Sequence, residues 1–252
     1  AYRKGKGPRT EGAAVMFLPA TSLRTRLTFE RGADLMGLQP ILFPPETLDK
    51  PESLVDVAGY LANWAKVLVV RHPDIGKLEA LAAGRKVPVI NAMTRVNHPC
   101  EVLSDAYALR QVRPDLRRLS FLFIGADGNI ARAWQELAGV LGLRLAQCCP
   151  ADLATPGLDW TDDLDVAITK ADVVLTDAVG PHKRALAPYR VTRKLMDRAK
   201  PGVLFNPCPP FTRGNELSAD AVASNWPFVG YGFKASLLPV QQAVMAHCLE
   251  LG

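Results

Sequence analysis

Residues 54–71 read LVDVAGYLANWAKVLVVR. Leu54, Val57, Ala58 and Leu61 recur at i, i+3, i+4 and i+7, the spacing of one helix face, and residues 67–70 then form an uninterrupted apolar run. The first pattern predicts an amphipathic helix and the second a buried strand. A helix feeding such a strand is part of a parallel crossover unit, and the rest of the chain repeats the theme. Residues 13–17 and 87–90 predict strands, while the segment from Ser22 and the segment from Pro99 to about Val112 predict helices. Further on, residues 121–124, 143–147, 173–176 and 203–205 predict strands, and Trp134, Leu137, Ala138 and Leu141 share one helix face.

The charged, proline-containing stretch RPDLRRLS at residues 113–120 separates two such series. The expected architecture is α/β, with two domains that each carry a parallel sheet flanked by helices, over residues 1–112 and 119–238. Residues 240–249 have helical period, so the segment 239–252 is expected to form a helix that packs back on the first domain. The chain has 252 residues, 48% of them hydrophobic, which supplies enough apolar matter for real cores and excludes disorder.

Several function classes are disfavoured by composition. No apolar run reaches the ~18 residues of a membrane helix, and the basic start AYRKGKGPR leads into no signal-type stretch. Five cysteines, an odd number without C-x-x-C spacing, argue against a disulfide framework or a zinc site, so a reducing cytoplasm is expected and no metal. The net charge is only +5 and sits largely in Arg3, Lys4, Lys6, Arg9 and residues 113–118. No helix carries a continuous basic face with interleaved aromatics, so neither nucleic acid nor membrane is an expected partner.

In parallel sheets, ligands bind beyond the carboxyl ends of strands, where loops meet helix N-termini. Four polar clusters fall there. Ser22-Leu23-Arg24-Thr25-Arg26 follows the first strand, and hydroxyls, guanidinium and helix-start N–H groups suit a phosphate dianion. The same segment also reads as a Ser N-cap with a solvated basic turn. Arg71 closes the strand at 67–70, either into a site or into a surface loop, and His72 beside it carries no assigned role. Residues 94–101, TRVNHPCE, follow the strand at 87–90 and bring His98 to the same predicted sheet edge. Residues 125–129, GADGN, lie between strand and helix; this is a weak dinucleotide-loop match, because no acidic residue ends the next strand.

Taken together the clusters resemble the aspartate/ornithine carbamoyltransferase family, in register over nearly the whole chain. Residues 22–26 resemble its S-T-R-T-R, His98-Pro99-Cys100-Glu101 its H-P-C-Q, and residues 125–132 its ornithine-type G-D-x-N-N-V-A-R. Thr176-Asp177 resembles the T-D that opens the acceptor loop, and Pro207-Cys208-Pro209-Pro210 with Arg213-Gly214 resembles H-C-L-P with its downstream R-G. Asn206-Pro207-Cys208-Pro209 can also be laid on the aspartate-type H-P-L-P. Residues 49–53, DKPES, are similar to a K-G-E-T whose lysine enters a neighbouring subunit's site.

The resemblance implies transfer of a carbamoyl group from carbamoyl phosphate to an amine, without a cofactor, in a homotrimer. It implies that Ser22, Leu23, Arg24, Thr25, Lys50, Arg71, His98 and Glu101 bind carbamoyl phosphate. Arg71, His98 and Thr25 would act on its carbonyl, and Asn129, Asp177 and Cys208 would hold a small amino-acid-like acceptor. Clustered arginines would make the site strongly positive. The chain departs from the pattern at Leu23, at Glu101 in place of glutamine, in a shortened loop at residues 177–180, and at Ser236-Leu237, where the family has Asn-Arg. Lys234 is a candidate to replace that guanidinium. The alternative reading is a family fold that has lost carbamoyl transfer and serves as a ligand-binding or assembly protein, or acts on a different electrophile.

Overall fold

A computed structural model describes residues 1–223 and 227–251. Ser224, Asn225 and Trp226, inside the expected second domain, and Gly252, at the end of the expected returning segment, lie outside the described residues, as does the side chain of the basic Arg3. The chain divides into unit 1, Ala1–Ala108 with Lys234–Gly252, and unit 2, Leu109–Phe233.

Unit 1 alternates β1 (Gly12–Phe17), α1 (Leu23–Leu35), β2 (Leu38–Phe43), α2 (Leu54–Leu61), β3 (Ala65–Arg71), α3 (Ile75–Ala83), β4 (Val89–Met93) and α4 (Pro99–Val112), the last running on into unit 2. The strands form one parallel sheet in the order β2-β1-β3-β4. Successive β1 and β3 residues face opposite sides, and each face is covered. Ala14, Met16, Val67 and Val69 pack with Phe29, Ala33 and Met36 of α1 and its end, while Val15, Phe17, Leu68 and Val70 pack with Ala58, Leu78 and Leu81 of α2 and α3. Burial on both faces is why the 67–70 run has no polar alternation.

Two strands of unit 1 depart from the sequence reading. The strand expected at 87–90 is Val89–Met93, because Pro88 has no N–H to give the ladder and only its carbonyl takes part, accepting from Leu68 N at 2.8 Å. β2 was not expected at all, and its Pro40 is tolerated because β2 is an edge strand.

Unit 2 comprises β5 (Ser120–Ile124), α5 (Asn129–Leu141), β6 (Arg144–Cys148), β7 (Trp160–Thr161), α6 (Leu164–Lys170), β8 (Val173–Thr176), α7 (Lys183–Leu186), α8 (Arg193–Met196) and β9 (Leu204–Pro207). Its strands are also all parallel, in the order β7-β6-β5-β8-β9. Trp134 of α5 packs on Phe121 of β5 with ring centroids 5.6 Å apart. α5 stops at Gly142, which takes the left-handed conformation (φ 67°) that an L side chain resists.

The last helix, α9 (Leu237–Cys248), returns to unit 1 as expected. Met245 and Ala246 enter the cluster of Phe29, Ala33 and Met36, and Gln242 Nε2 donates to the Gly32 carbonyl at 3.2 Å. The approach needs glycine, since a Cβ on Gly32 would stand 3.2 Å from Gln242 Cγ. Among the described residues no helix is long and apolar enough to cross a membrane.

Candidate active site

Parallel pairing fixes where the first cluster forms. Phe17 of β1 lies beside Val70 of β3, and Arg71 beside Met93 of β4. The loop after β1, Arg71 and the 94–98 loop therefore leave the sheet at one edge. Ser22 occupies the N-cap position of α1 but makes no side-chain cap bond. Its Oγ instead accepts from Arg71 Nη1 at 2.9 Å, and the same nitrogen lies 3.5 Å from Thr25 Oγ1. The capping alternative for Ser22 and the surface alternative for Arg71 both fail on this contact. Burial draws the Arg71 guanidinium below its usual pKa, while the negative charge of Glu101 opposes the shift.

His98 ends the 94–98 loop, and Glu101 lies in the first turn of α4; both are buried. Glu101 Oε2 is 4.0 Å from His98 Nε2. Burial pushes the His98 pKa down to about 4; Glu101 counters this, and the cations Arg71 and Lys234 reinforce it. The ring is thus neutral near pH 7, offering one N–H and one acceptor nitrogen. Its Nδ1 is buried with no hydrogen-bond partner among the described residues.

Lys234 does not stand in for the absent guanidinium in the way expected. Its Nζ donates to Glu101 Oε1 at 2.6 Å and to Asp105 Oδ1 at 2.5 Å. Two cations, Arg71 and Lys234, are therefore matched by two carboxylates, and this cluster is far less positive than the motif residues imply.

The remaining residues of the expected phosphate set are more peripheral. Leu23 and Arg24 have exposed side chains, and the Leu23 N–H already donates to the Thr21 carbonyl at 2.9 Å. Lys50 is exposed at the end of a short 3-10 turn, Pro45–Asp49. The structure thus gathers Ser22, Thr25, Arg71, His98 and Glu101, and leaves Leu23, Arg24 and Lys50 at the surface.

His72, which the sequence left without a role, anchors that turn. Its Nδ1 accepts from Asp74 N at 3.0 Å, so Nε2 carries the proton and donates to Asp49 Oδ1 at 3.2 Å. Lys77 Nζ contacts the same oxygen at 2.9 Å and the Leu48 carbonyl at 2.8 Å. The Lys77 hydrogen bond, and with it that from His72, lowers the Asp49 pKa. The sequence showed only a histidine following an arginine at a strand end, which does not reveal its partners.

Unit 2 carries a second cluster, also at the carboxyl edge of its sheet. Thr176 of β8 lies beside Ile124 of β5 and Pro207 of β9, and Cys208 N donates to the Thr176 carbonyl at 2.9 Å. Asp177 and Cys208 therefore leave adjacent strands together, and a Cβ on Gly125 would stand 3.9 Å from Asp177 N. Asn129 opens α5, and Arg132 Nε donates to Asp127 Oδ1 at 2.9 Å. Thr176 Oγ1 and Asn206 Nδ2 are buried without a partner among the described residues.

Burial raises the thiols of Cys100 and Cys148 to about 12 and that of Cys149 to about 11, which removes them as nucleophiles. Among the described residues no group of three or more His, Cys, Asp and Glu side chains is placed to hold a metal ion.

Hydroxyls, a guanidinium and a neutral imidazole at a helix start define a donor-rich site for an oxyanion, on an α/β protein with two parallel sheets. Comparison with known proteins gives this class its family. The family description "Aspartate/ornithine carbamoyltransferase, carbamoyl-P binding domain" matches residues 3–111, and "Aspartate/ornithine carbamoyltransferase, Asp/Orn binding domain" matches residues 117–248. The ornithine carbamoyltransferase of Chromohalobacter salexigens is 32% identical over 247 residues, covering 88% of this chain and 81% of its own length. That of Chlorobaculum tepidum is 29% identical over 239 residues, covering 85% and 71%. The crystal structure of ornithine carbamoyltransferase from Burkholderia thailandensis superposes with a TM-score of 0.89 at 27% identity, covering 98% of this chain and 88% of that one. The chain belongs to the aspartate/ornithine carbamoyltransferase family and is a carbamoyltransferase-family enzyme.

Proposed function

We propose that this enzyme transfers the carbamoyl group of carbamoyl phosphate to the amine of a small amino-acid-like acceptor, with unit 1 holding the donor and unit 2 the acceptor. The observation that carries the reading is the contact of Arg71 with Ser22 and Thr25, beside a neutral His98. Ser22, Thr25, Arg71 and the helix-start N–H of Arg24 hold the phosphate, with the Arg24 side chain and Lys50 adding charge. Arg71, His98 and Thr25 donate to the carbonyl oxygen, where negative charge grows as the amine attacks. A neutral imidazole suits this task, because it donates without adding a second proton to be lost. Glu101 accepts from the carbamoyl NH2. Asn129 takes the acceptor's α-carboxylate and Asp177 its α-ammonium, leaving the chain amine near Cys208.

The nucleophilic amine displaces phosphate through a tetrahedral intermediate, with no covalent bond to the protein. Electrostatic preorganisation of such donors contributes about 3–4 kcal/mol for each critical one. The enzyme works in the cytoplasm as a homotrimer in which Lys50 serves a neighbouring subunit.

Carbamoyl phosphate with a panel of amines, led by ornithine and related diamino acids, tests the reading. Acceptor-dependent release of phosphate with a ureido product supports it. Binding of carbamoyl phosphate without turnover on any amine would replace it with the binding-protein alternative.

A further inference from the structure

A buried polar system in unit 1 that the motif residues do not account for is the contact of Lys234 with Glu101 and Asp105. We propose that Lys234 is a positioning residue for Glu101, and that the two form a matched pair on which selection of an electrophile bearing N–H donors depends. The proposal rests on the reading of this cluster as the carbamoyl-phosphate site.

Glu101 and Asp105 stand four residues apart on α4, one turn on the same face, and both are buried. Two carboxylates so placed repel each other. Lys234 reaches them from the 3-10 turn Tyr231–Ser236, 133 residues from Glu101 along the chain. An ammonium has three donors, so it can take one oxygen from each carboxylate, and it does so through Glu101 Oε1 and Asp105 Oδ1. The other oxygen, Glu101 Oε2, is the one on the side of His98, 4.0 Å from Nε2, where the imidazole Nδ1 is itself a buried atom without a partner among the described residues.

Glu101 thus presents one pinned oxygen and one facing the donor cluster. An ionised carboxylate only accepts, so whatever lies against Oε2 must donate. A carbamoyl NH2 does; the methyl group of an acetyl phosphate of the same shape and charge does not. Removing the ammonium leaves two buried like charges without their shared partner, so Glu101 is no longer pinned with Oε2 towards the donor cluster, and the acceptor is lost. A glutamine at 101 needs no such cation, because its amide oxygen accepts without charge. For the choice of electrophile Lys234 is accordingly required because position 101 is glutamate, while its second contact serves the buried Asp105.

Calorimetry with carbamoyl phosphate, acetyl phosphate and inorganic phosphate on the wild type, E101Q, K234M, K234R and the E101Q/K234M double variant tests the pair. The wild type is expected to prefer carbamoyl over acetyl phosphate by roughly 10–100-fold, the effect of one unsatisfied buried polar group. K234M loses at least tenfold of that ratio while its affinity for inorganic phosphate changes less; K234R and E101Q keep the ratio, and adding E101Q to K234M restores it.

A purely structural lysine would lower all three affinities together and leave the ratio unmoved, which overturns the proposal, as does a double variant no better than K234M. If K234M does not fold, the double variant decides: it is expected to fold with the preference of E101Q, and an unfolded or unselective protein overturns the pair. A wild type that binds phosphate but shows no preference overturns the pair and leaves the phosphate site standing. A wild type that binds none of the three overturns both.

Discussion

Arg71 Nη1 donates to Ser22 Oγ across 49 residues of sequence, tying the end of β3 to the start of α1. The contact presets a guanidinium beside two hydroxyls before any anion arrives. Arg71→Ala is expected to lower kcat/KM by about 10²–10³, the usual effect of losing a preorganised donor to a developing charge. It also removes the rise in Tm that millimolar phosphate gives the wild type, a rise that follows from ligand binding to the folded state alone. Thermal scans with and without phosphate check both, and an equal rise in the two proteins would place the anion elsewhere.

His98 makes stability depend on pH in a defined direction. An unfolded histidine takes up its proton near pH 6.5, whereas burial holds His98 down to about 4. Its contribution is complete above about pH 6.5 and is lost as pH falls towards 4, reaching on the order of 3 kcal/mol. Urea midpoints measured between those limits should fall less steeply for His98→Asn than for the wild type. Equal slopes would mean that the ring is not held neutral.

Asp49 fastens the turn that presents Lys50, through His72 on one side and Lys77 on the other. Asp49→Asn weakens both contacts without touching Lys50. Steady-state kinetics should show a several-fold higher KM for carbamoyl phosphate with kcat little changed, the mark of lost binding rather than lost chemistry. A normal KM would disconnect this turn from the site.

The proposed trimer predicts complementation. When Lys50→Ala and Arg71→Ala chains are refolded together in equal amounts, a site is intact if it draws Arg71 from the first and Lys50 from the second. Random mixing makes that one half times one half, so about a quarter of wild-type activity is expected to return. Hybrids as inactive as their parents would show that subunits do not share sites.

Met245 is fully buried against Phe29, Ala33 and Met36. Met245→Ala should cost about 2–5 kcal/mol, the range for a core truncation that leaves a cavity. Denaturant unfolding monitored through phosphate protection tests whether that loss falls on unit 1.

Much of this was legible in the sequence because hydrophobic period and motif order are local. The strand at β3 announced itself by four consecutive apolar residues; Arg71 ends that strand, and Ser22 and His98 lie in loops that follow other strands of the same parallel sheet. β2 escaped because Pro40 and partial exposure break the pattern that a central strand must keep, and β7 because two residues have no period. His72 escaped because its partner Asp49 lies 23 residues away in a turn. Lys234 was placed near the donor site by its position in the motif, but its partners follow from tertiary packing, and only the fold could show that it binds carboxylates.

The packing of α9 also bears on how the polypeptide is made. Phe29, which precedes unit 2 in the sequence, and Met245, which follows it, meet in a single core. During synthesis, the sequence of unit 2 leaves the ribosome before the segment that closes unit 1. Unit 1 is therefore begun before unit 2 and finished after it, and a message truncated shortly before α9 yields a product that keeps Ser22, Arg71, His98 and Asp177 but whose unit 1 core stays open.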